Sequence, residues 1–223
     1  MNVTRTAGDG VAPGRHDRAA REAALIEAAT AVFAERGFEA ATTREVAERA
    51  GCAEGLIHRY FGGKRGLLLA ILARRTNTVE AAFRAALPDR ERLVDELTHL
   101  LTVPLDLFWQ HRDFMRVAIA QAIVDPDVSR RVDELRERIV AAIAAKLTRH
   151  RQAGRLRADA DVAALAEAVA DLAFSTGFVD RVMLGRDRAR IERVLRAVVE
   201  ALARGLTPPP KLIHPAEEGC ASP

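Results

Sequence analysis

The chain has 223 residues, 49% of them apolar, so it can bury a substantial core. Its formal net charge of +3 is by itself only weak evidence for a nucleic-acid partner. Its two cysteines, Cys52 and Cys220, exclude a disulfide framework and a cysteine-rich zinc site. The sequence lacks both a signal-peptide pattern and a run of about 18 uncharged apolar residues, so we expect a soluble cytoplasmic protein without a membrane partner.

The spacing of apolar residues is helical almost throughout the chain and predicts an all-α fold. Residues 1–16 and 207–223 are rich in Gly, Ala and Pro without periodicity, and we expect both tails to be disordered. Between them the pattern predicts helices over about 17–36, 43–50, 53–61, 64–87, 89–109, 111–123, 127–153, 159–184 and 187–205.

The predicted helix over 159–184 is apolar on most of its circumference, so it must be covered on two sides. One side can be the domain core, and the other favours a second copy of the chain. We therefore expect a homodimer through this helix and the one over 187–205, although both helices could instead complete a monomer core. The expected interface residues are Val169, Ala173, Ile191, Val194, Leu195, Val198 and Leu202.

A helix-turn-helix motif is predicted within residues 42–68, "TTREVAERAGCAEGLIHRYFGGKRGLL". Two short helices flank a turn at Gly51, and the spacing of Val46 and Ile57 lets them pack together. The second helix would then be exposed enough to lie in a DNA major groove, about 12 Å wide.

Residues 22–72, "EAALIEAATAVFAERGFEAATTREVAERAGCAEGLIHRYFGGKRGLLLAIL", resemble the DNA-binding domain of the TetR/AcrR family of bacterial transcriptional regulators. The resemblance implies a DNA-binding domain over 17–63 and a helical ligand-binding and dimerisation domain over 64–206. It further implies a repressor that is released from a palindromic operator in double-stranded DNA when a small-molecule effector binds.

The resemblance also implies which residues contact DNA. Its positions correspond here to Thr43, Arg44, Glu54, Gly55, Leu56, His58, Arg59, Tyr60 and Lys64. Tyr60 and Lys64 are expected on the DNA backbone, and Leu56 and Glu54 are suited to a thymine methyl and to cytosine N4. The sequence departs from the family at Ala53, where Ser or Thr usually caps the recognition helix, and at the Gly62–Gly63 pair.

A ligand cavity is expected near Pro104, because proline removes a helix donor and kinks the helix. Its expected lining suits an apolar or aromatic ligand; the alternative is that the same residues fill the core. The candidates are His99, Leu101, Leu105, Phe108, Trp109, Phe114, Met115, Ile119, Phe174, Ser175, Thr176 and Phe178.

Two other classes of protein are alternatives to a transcriptional regulator. For an enzyme, the sequence offers no HExxH or GxSxG motif and no Gly-rich loop after a strand, so we expect no catalytic residues, metal site or cofactor. The other class is a helical interaction module without a ligand response. Binding to a palindromic DNA site that weakens with salt would distinguish the regulator from such a module.

Overall fold

The computed structural model describes residues 15–208, and the predicted all-α fold is confirmed for that range, which contains no β-strand. The predicted tails fall outside it, apart from two residues at each end. The elements are α1 (Arg15–Arg36), α2 (Thr43–Ala50), α3 (Gly55–Phe61), α4 (Lys64–Ala86), α5 (Leu93–Gln110), α6 (Arg112–Val124), α7 (Pro126–Gln152), α8 (Val162–Phe174), the π-helical segment Ser175–Met183 and α9 (Arg188–Leu206).

Local signals explain most of these helix boundaries. Thr42 caps α2, since its side chain accepts a hydrogen bond from the backbone N–H of Glu45 while the Glu45 carboxylate accepts one from Thr42 N–H. Gly37 and Gly51 end α1 and α2 in the left-handed conformation, with φ of 76° and 63°. Asp161 caps α8 by accepting from two backbone N–H groups.

Several boundaries differ from the sequence prediction. The fifth helix begins at Leu93 rather than near residue 89, and α3 begins at Gly55 rather than at Ala53. The predicted helix over 159–184 is α-helical only to Phe174 and then continues as the π-helical segment. Such π-helical turns are rare and carry i→i+5 hydrogen bonds, which the apolar periodicity of a sequence does not reveal.

The contacts divide the chain into two compact units. Within residues 15–208, the first unit comprises residues 15–86 and Leu105–Ile139, and the second comprises Leu87–Pro104 and residues 140–208. In this division α4 belongs to the first unit, because it packs on α1 and α3. The domain boundary expected at Lys64 stays a prediction. Pro104 is buried inside an uninterrupted α5, and the division passes directly after it.

The first unit has a core that joins the two helices of the motif to their neighbours. Buried side chains of α1, α2, α3 and α4 form one cluster, to which Ala118 of α6 and Val128 of α7 also belong. Val46 and Ile57 are fully buried in it, as the packing of the predicted motif requires. The position and tilt of α3 are therefore set by a continuous hydrophobic core rather than by the turn alone.

The second unit buries the apolar faces of α8 and α9. Val169, Ala173, Ile191 and Leu195 are each at most 5% exposed. Within the described residues, Val162–Met183 is long and apolar enough to cross a membrane by length and composition, and 44% of its most apolar window is buried. A single such helix is weak evidence, because the core helix of a soluble protein meets the same criteria.

Candidate nucleic-acid interface

The second helix of the motif, α3, presents a polar face outward and is anchored by one apolar side chain. Ile57 is fully buried, whereas Gly55, His58 and Arg59 are exposed. Leu56 is only partly exposed and packs against the hydrophobic cluster of the first unit. The exposed face of α3 can therefore approach a ligand as large as DNA without disturbing its packing.

The start of α3 has no side-chain cap. The residue preceding the helix, Glu54, makes no capping hydrogen bond, and Ala53 contributes only its carbonyl, which accepts from Leu56 N–H at 3.0 Å. The carboxylate of Glu54 instead accepts a hydrogen bond of 2.5 Å from the hydroxyl of Thr43. This bond joins the N-terminal ends of α2 and α3, two positions that the sequence assigned to DNA.

Arg44 lies on the exposed surface next to this junction. Its guanidinium donates to Glu48 at 2.9 Å along α2, and both side chains are mostly exposed. An exposed pair of this kind contributes little stability, so Arg44 can exchange Glu48 for a phosphate or a base at small cost. At the N-terminal end of α2, Thr42 donates hydrogen bonds to the Glu45 carboxylate, from its backbone N–H and, with a smaller effect, from its hydroxyl. These bonds hold the pKa of the Glu45 carboxyl below its ordinary value.

Tyr60, near the end of α3, contacts a residue that the sequence reading missed. The guanidinium of Arg18, on α1, lies 5.0 Å from the centre of the Tyr60 ring and also pairs with Glu22. This contact places a positive charge beside the tyrosine expected on the DNA backbone. Arg18 lies 42 positions before Tyr60, and no local pattern in the sequence could have indicated the contact.

Lys64 fixes the connection between α1 and α2. Its ammonium donates to the backbone carbonyls of Phe38, Glu39 and Ala41 at 2.9–3.1 Å and lies 4.7 Å from the centre of the Phe38 ring. All three donors of the ammonium are thus used within the chain. The phosphate contact expected of Lys64 remains a prediction, and it would require a phosphate oxygen to replace or share one of these carbonyls.

The junction between α3 and α4 requires glycine at Gly66. A Cβ atom added there would lie 1.6 Å from the carbonyl oxygen of Phe61, the last residue of α3. Gly62 and Gly63, the pair at which the sequence departs from the family, have φ of 73° and 113°. Both conformations are strained for other residues, so the glycines form a defined tight turn.

Arg65 ties the beginning of α4 to the connection between α6 and α7. Its guanidinium donates to both carboxylate oxygens of Asp125, at 2.6 and 2.8 Å, and to Asp127 at 2.5 Å. The Arg65 hydrogen bonds lower the pKa of Asp125 to about 2, with further help from the backbone N–H groups of Asp127 and Val128. Arg65, which directly follows Lys64, therefore forms ion pairs with residues far along the chain.

The polar residues of the expected ligand site already have other contacts or face solvent. His99 Nε2 lies 2.5 Å from Arg90 Nη2, and the Thr176 hydroxyl donates to the carbonyl of Leu172, four residues earlier in α8. Ser175 is exposed. These placements neither create nor exclude the expected apolar site, which stays a prediction.

The apolar candidates differ in burial. Leu101, Leu105 and Phe178 are at most 2% exposed, whereas Trp109 is 42% exposed. The others, Phe108, Phe114, Met115, Ile119 and Phe174, are partly buried. Within the second unit, the Phe174 and Phe178 rings stack with centres 5.3 Å apart.

The first unit thus defines a helix-turn-helix protein with an exposed second helix, and comparisons with known proteins agree. The model of bacterial regulatory proteins of the tetR family matches residues 25–71, and the C-terminal domain model of AefR-like transcriptional repressors matches residues 96–205. Together with the relatives described below, these matches show that the chain belongs to the TetR family of bacterial transcriptional regulators.

Two curated relatives match almost over their full length. An HTH-type transcriptional repressor of Mycobacterium tuberculosis is 30% identical, with 83% of this chain and 95% of the relative aligned. The HTH-type transcriptional repressor AcnR of Corynebacterium diphtheriae is 31% identical, covering 82% and 91%.

Solved structures agree on the fold. A TetR-family regulator from Mesorhizobium loti matches with a TM-score of 0.73 at 21% identity, over 86% of this chain and 98% of the other. The regulator FadR of Bacillus subtilis, solved in complex with stearoyl-CoA, matches with a TM-score of 0.65 at 19% identity, over 82% and 98%.

Proposed function

We propose that this protein is a cytoplasmic, homodimeric repressor that binds a palindromic operator and is released from it by a small molecule. The observation that carries the proposal is the exposed polar face of α3, with Gly55, His58 and Arg59, held on a core in which Ile57 is fully buried. A short, rigidly anchored helix with a free polar face matches what a major groove accepts. The two relatives at 30% and 31% identity carry the name of repressor.

Sequence preference and general affinity come from different residues in this proposal. Gly55, His58 and Arg44 approach base edges or adjacent phosphates, while Tyr60 and Lys64 bind the DNA backbone. Glu54 contributes by positioning Thr43 until DNA is bound. The effector is an apolar or aromatic molecule in the predicted site around Pro104, supported by a structural neighbour solved with stearoyl-CoA.

A gel-shift titration tests the function directly. A palindrome from the promoter of the protein's own gene should be bound with an affinity that falls as salt rises, because phosphate contacts release counterions. A scrambled sequence of the same composition should bind more weakly by about 1,000-fold or more. Equal affinity for the two DNAs would exclude a sequence-specific regulator.

Lys64→Ala separates backbone binding from sequence preference. The variant should bind every operator sequence more weakly and should reduce the slope of log affinity against log salt by about one unit. Arg204→Ala, which removes an exposed arginine of α9, is the matched control and should leave the slope unchanged. A lower melting temperature with an unchanged slope would assign Lys64 to the α1–α2 connection alone.

A further inference from the structure

The second unit contains a polar cavity of about 240 Å³ that none of the roles above uses. Its wall combines the segment before α5, the first turn of α5, the end of α7 and the residues after it. The lining residues are Asp89, Arg90, Glu91, Glu96, Lys146, Arg149, His150 and Arg155. The volume is below the range of about 300–1,000 Å³ typical of drug-sized ligands but exceeds the space of one water many times, so a small molecule fits.

Most carboxylates in the cavity wall form ion pairs with basic residues of the same wall. Asp89 pairs with Lys146 at 2.8 Å and also with Arg149. Glu96, only 1% exposed, lies 3.1 Å from the Lys146 ammonium and accepts a hydrogen bond from the backbone N–H of Arg90 at 2.9 Å. Lys146 is itself buried, so its charge is committed to these two acids.

Two guanidiniums in the wall remain without a carboxylate. Among the described residues, neither Arg90 nor Arg155 has an acidic side chain within ion-pair distance. Arg155 donates to the backbone carbonyl of Glu91, and Arg90 contacts His99. The backbone N–H of Arg155 bonds to the carbonyl of His150, which turns the chain back over the end of α7. Both cations are thus held at the cavity by other contacts.

Two buried nitrogens in the same wall lack a hydrogen-bond partner in the described part of the chain. They are Nε of Arg90 and Nδ1 of His150, whose side chain is only 4% exposed. Burial holds the pKa of the His150 imidazole below its ordinary value, opposed by Glu96, so this ring adds no full charge at neutral pH. A buried polar atom without a partner is costly, and a ligand oxygen would satisfy the Arg90 donor.

We propose that this cavity binds a small anion through carboxylate or phosphate oxygens, with Arg90 and Arg155 as its cationic ligands. Arginine suits such a ligand, since its planar fork of donors matches both kinds of oxyanion. Four permanent cations face three carboxylates in the wall, so a bound anion meets a net positive surrounding. Control of operator release by this anion would rest on the function proposed above, whereas anion binding itself does not require DNA.

Titration calorimetry on the full chain without DNA tests the site, with malonate and inorganic phosphate as probes at constant ionic strength. At least one probe should bind at millimolar or lower concentration and raise the melting temperature. Arg90→Gln and Arg155→Gln should each weaken binding about tenfold or more, because each removes a charged hydrogen-bond donor. Binding of malonate alone would identify a carboxylate ligand, and binding of phosphate alone a phosphate ligand.

Arg151→Gln is the matched control, because Arg151 is an exposed arginine at the same helix end that does not line the cavity. It should bind the probe as the unmodified chain does. The proposal is overturned if neither probe binds at millimolar concentration, or if the Arg155 variant, whose exposed side chain is dispensable for packing, keeps full affinity. Operator binding measured on the same samples reports separately on the proposed function.

Discussion

Individual glycines in this protein meet opposite steric demands. Gly66 has the backbone of Phe61 against it, while Gly55 and Gly205 have nothing within 4 Å of an added Cβ and no positive φ. Steric crowding within the chain therefore explains why position 66 needs glycine, but it does not explain the glycine at position 55. The difference allows packing and DNA contact to be tested separately with the same substitution.

Gly66→Ala should destabilise the protein by about 1–3 kcal/mol, the usual cost of forcing an extra methyl group into a packed site. Operator affinity should fall with it, because α3 and α4 must move apart. Gly205→Ala is the control and should raise stability by up to about 1 kcal/mol, since alanine has a higher helix propensity than glycine. Urea unfolding measures both changes, and equal stability of the two variants would contradict the steric argument.

Gly55→Ala should fold at least as stably as the unmodified chain but bind its operator about 5- to 150-fold more weakly, the ~1–3 kcal/mol that one disturbed base contact typically costs. The reason is that the exposed start of α3 is expected to approach the groove closely, where a methyl group would intervene. Melting temperature and gel-shift affinity need to be measured on the same preparation. Unchanged operator affinity would place Gly55 outside the DNA contact.

At the scale of elements, Arg65 and Asp125 join α4 to the α6–α7 connection, and their interaction depends on pH. The pKa of Asp125 is lowered to about 2 from an ordinary value of 3.8. A lowered carboxyl pKa stabilises the folded state fully above the unfolded value, and this stabilisation is lost as pH falls from about 4 towards 2. The connection between α6 and α7 should therefore loosen as the pH falls below about 4 and should not change near neutral pH.

Asp125→Asn should lower stability at pH 5 and should make stability fall less steeply between pH 5 and pH 3 than in the unmodified chain. Urea unfolding at the two pH values measures this difference. Asp95→Asn removes an exposed carboxylate that lies 3.9 Å from Arg92 and should keep the original pH dependence. An identical pH dependence in the Asp125 variant would show that this ion pair does not contribute to acid stability.

Elements with local signals were predictable from the sequence, and elements defined by distant contacts were not. Thr42, Gly37 and Gly51 mark helix ends through their own side chains or backbone, so the predicted ends of α1 and α2 agree with the structure to within two residues. By contrast, Lys64 reaches carbonyls 23 to 26 positions earlier, and Lys146 pairs with Asp89 across 57 positions. The periodicity of the sequence therefore predicts neither the α1–α2 connection held by Lys64 nor the polar cavity.

At the scale of the whole molecule, the expected dimer face must be built from side chains that remain exposed in the single chain. Val169, Ala173, Ile191 and Leu195 are already buried in the second unit and serve its core. Val194 is 48% exposed, and Val198 and Leu202 are partly exposed. Met183 and Leu184, at 59% and 57%, add exposed apolar surface to the same unit. The apolar surface that remains exposed lies around Met183 and Leu184 and on α9, and a dimer through it stays a prediction.

Val194→Glu combined with Val198→Glu should convert the dimer to a monomer, because a dimer interface does not accommodate unpaired carboxylates at its centre. Sedimentation velocity should show a mass near the 24.3 kDa of one chain, and binding to the palindrome should weaken as the two DNA-binding helices lose their fixed spacing. Ile123→Glu is the control, because Ile123 is 81% exposed in the first unit and lies outside the proposed interface. It should remain dimeric. A double variant that still sediments as a dimer would place the interface on another surface of the chain.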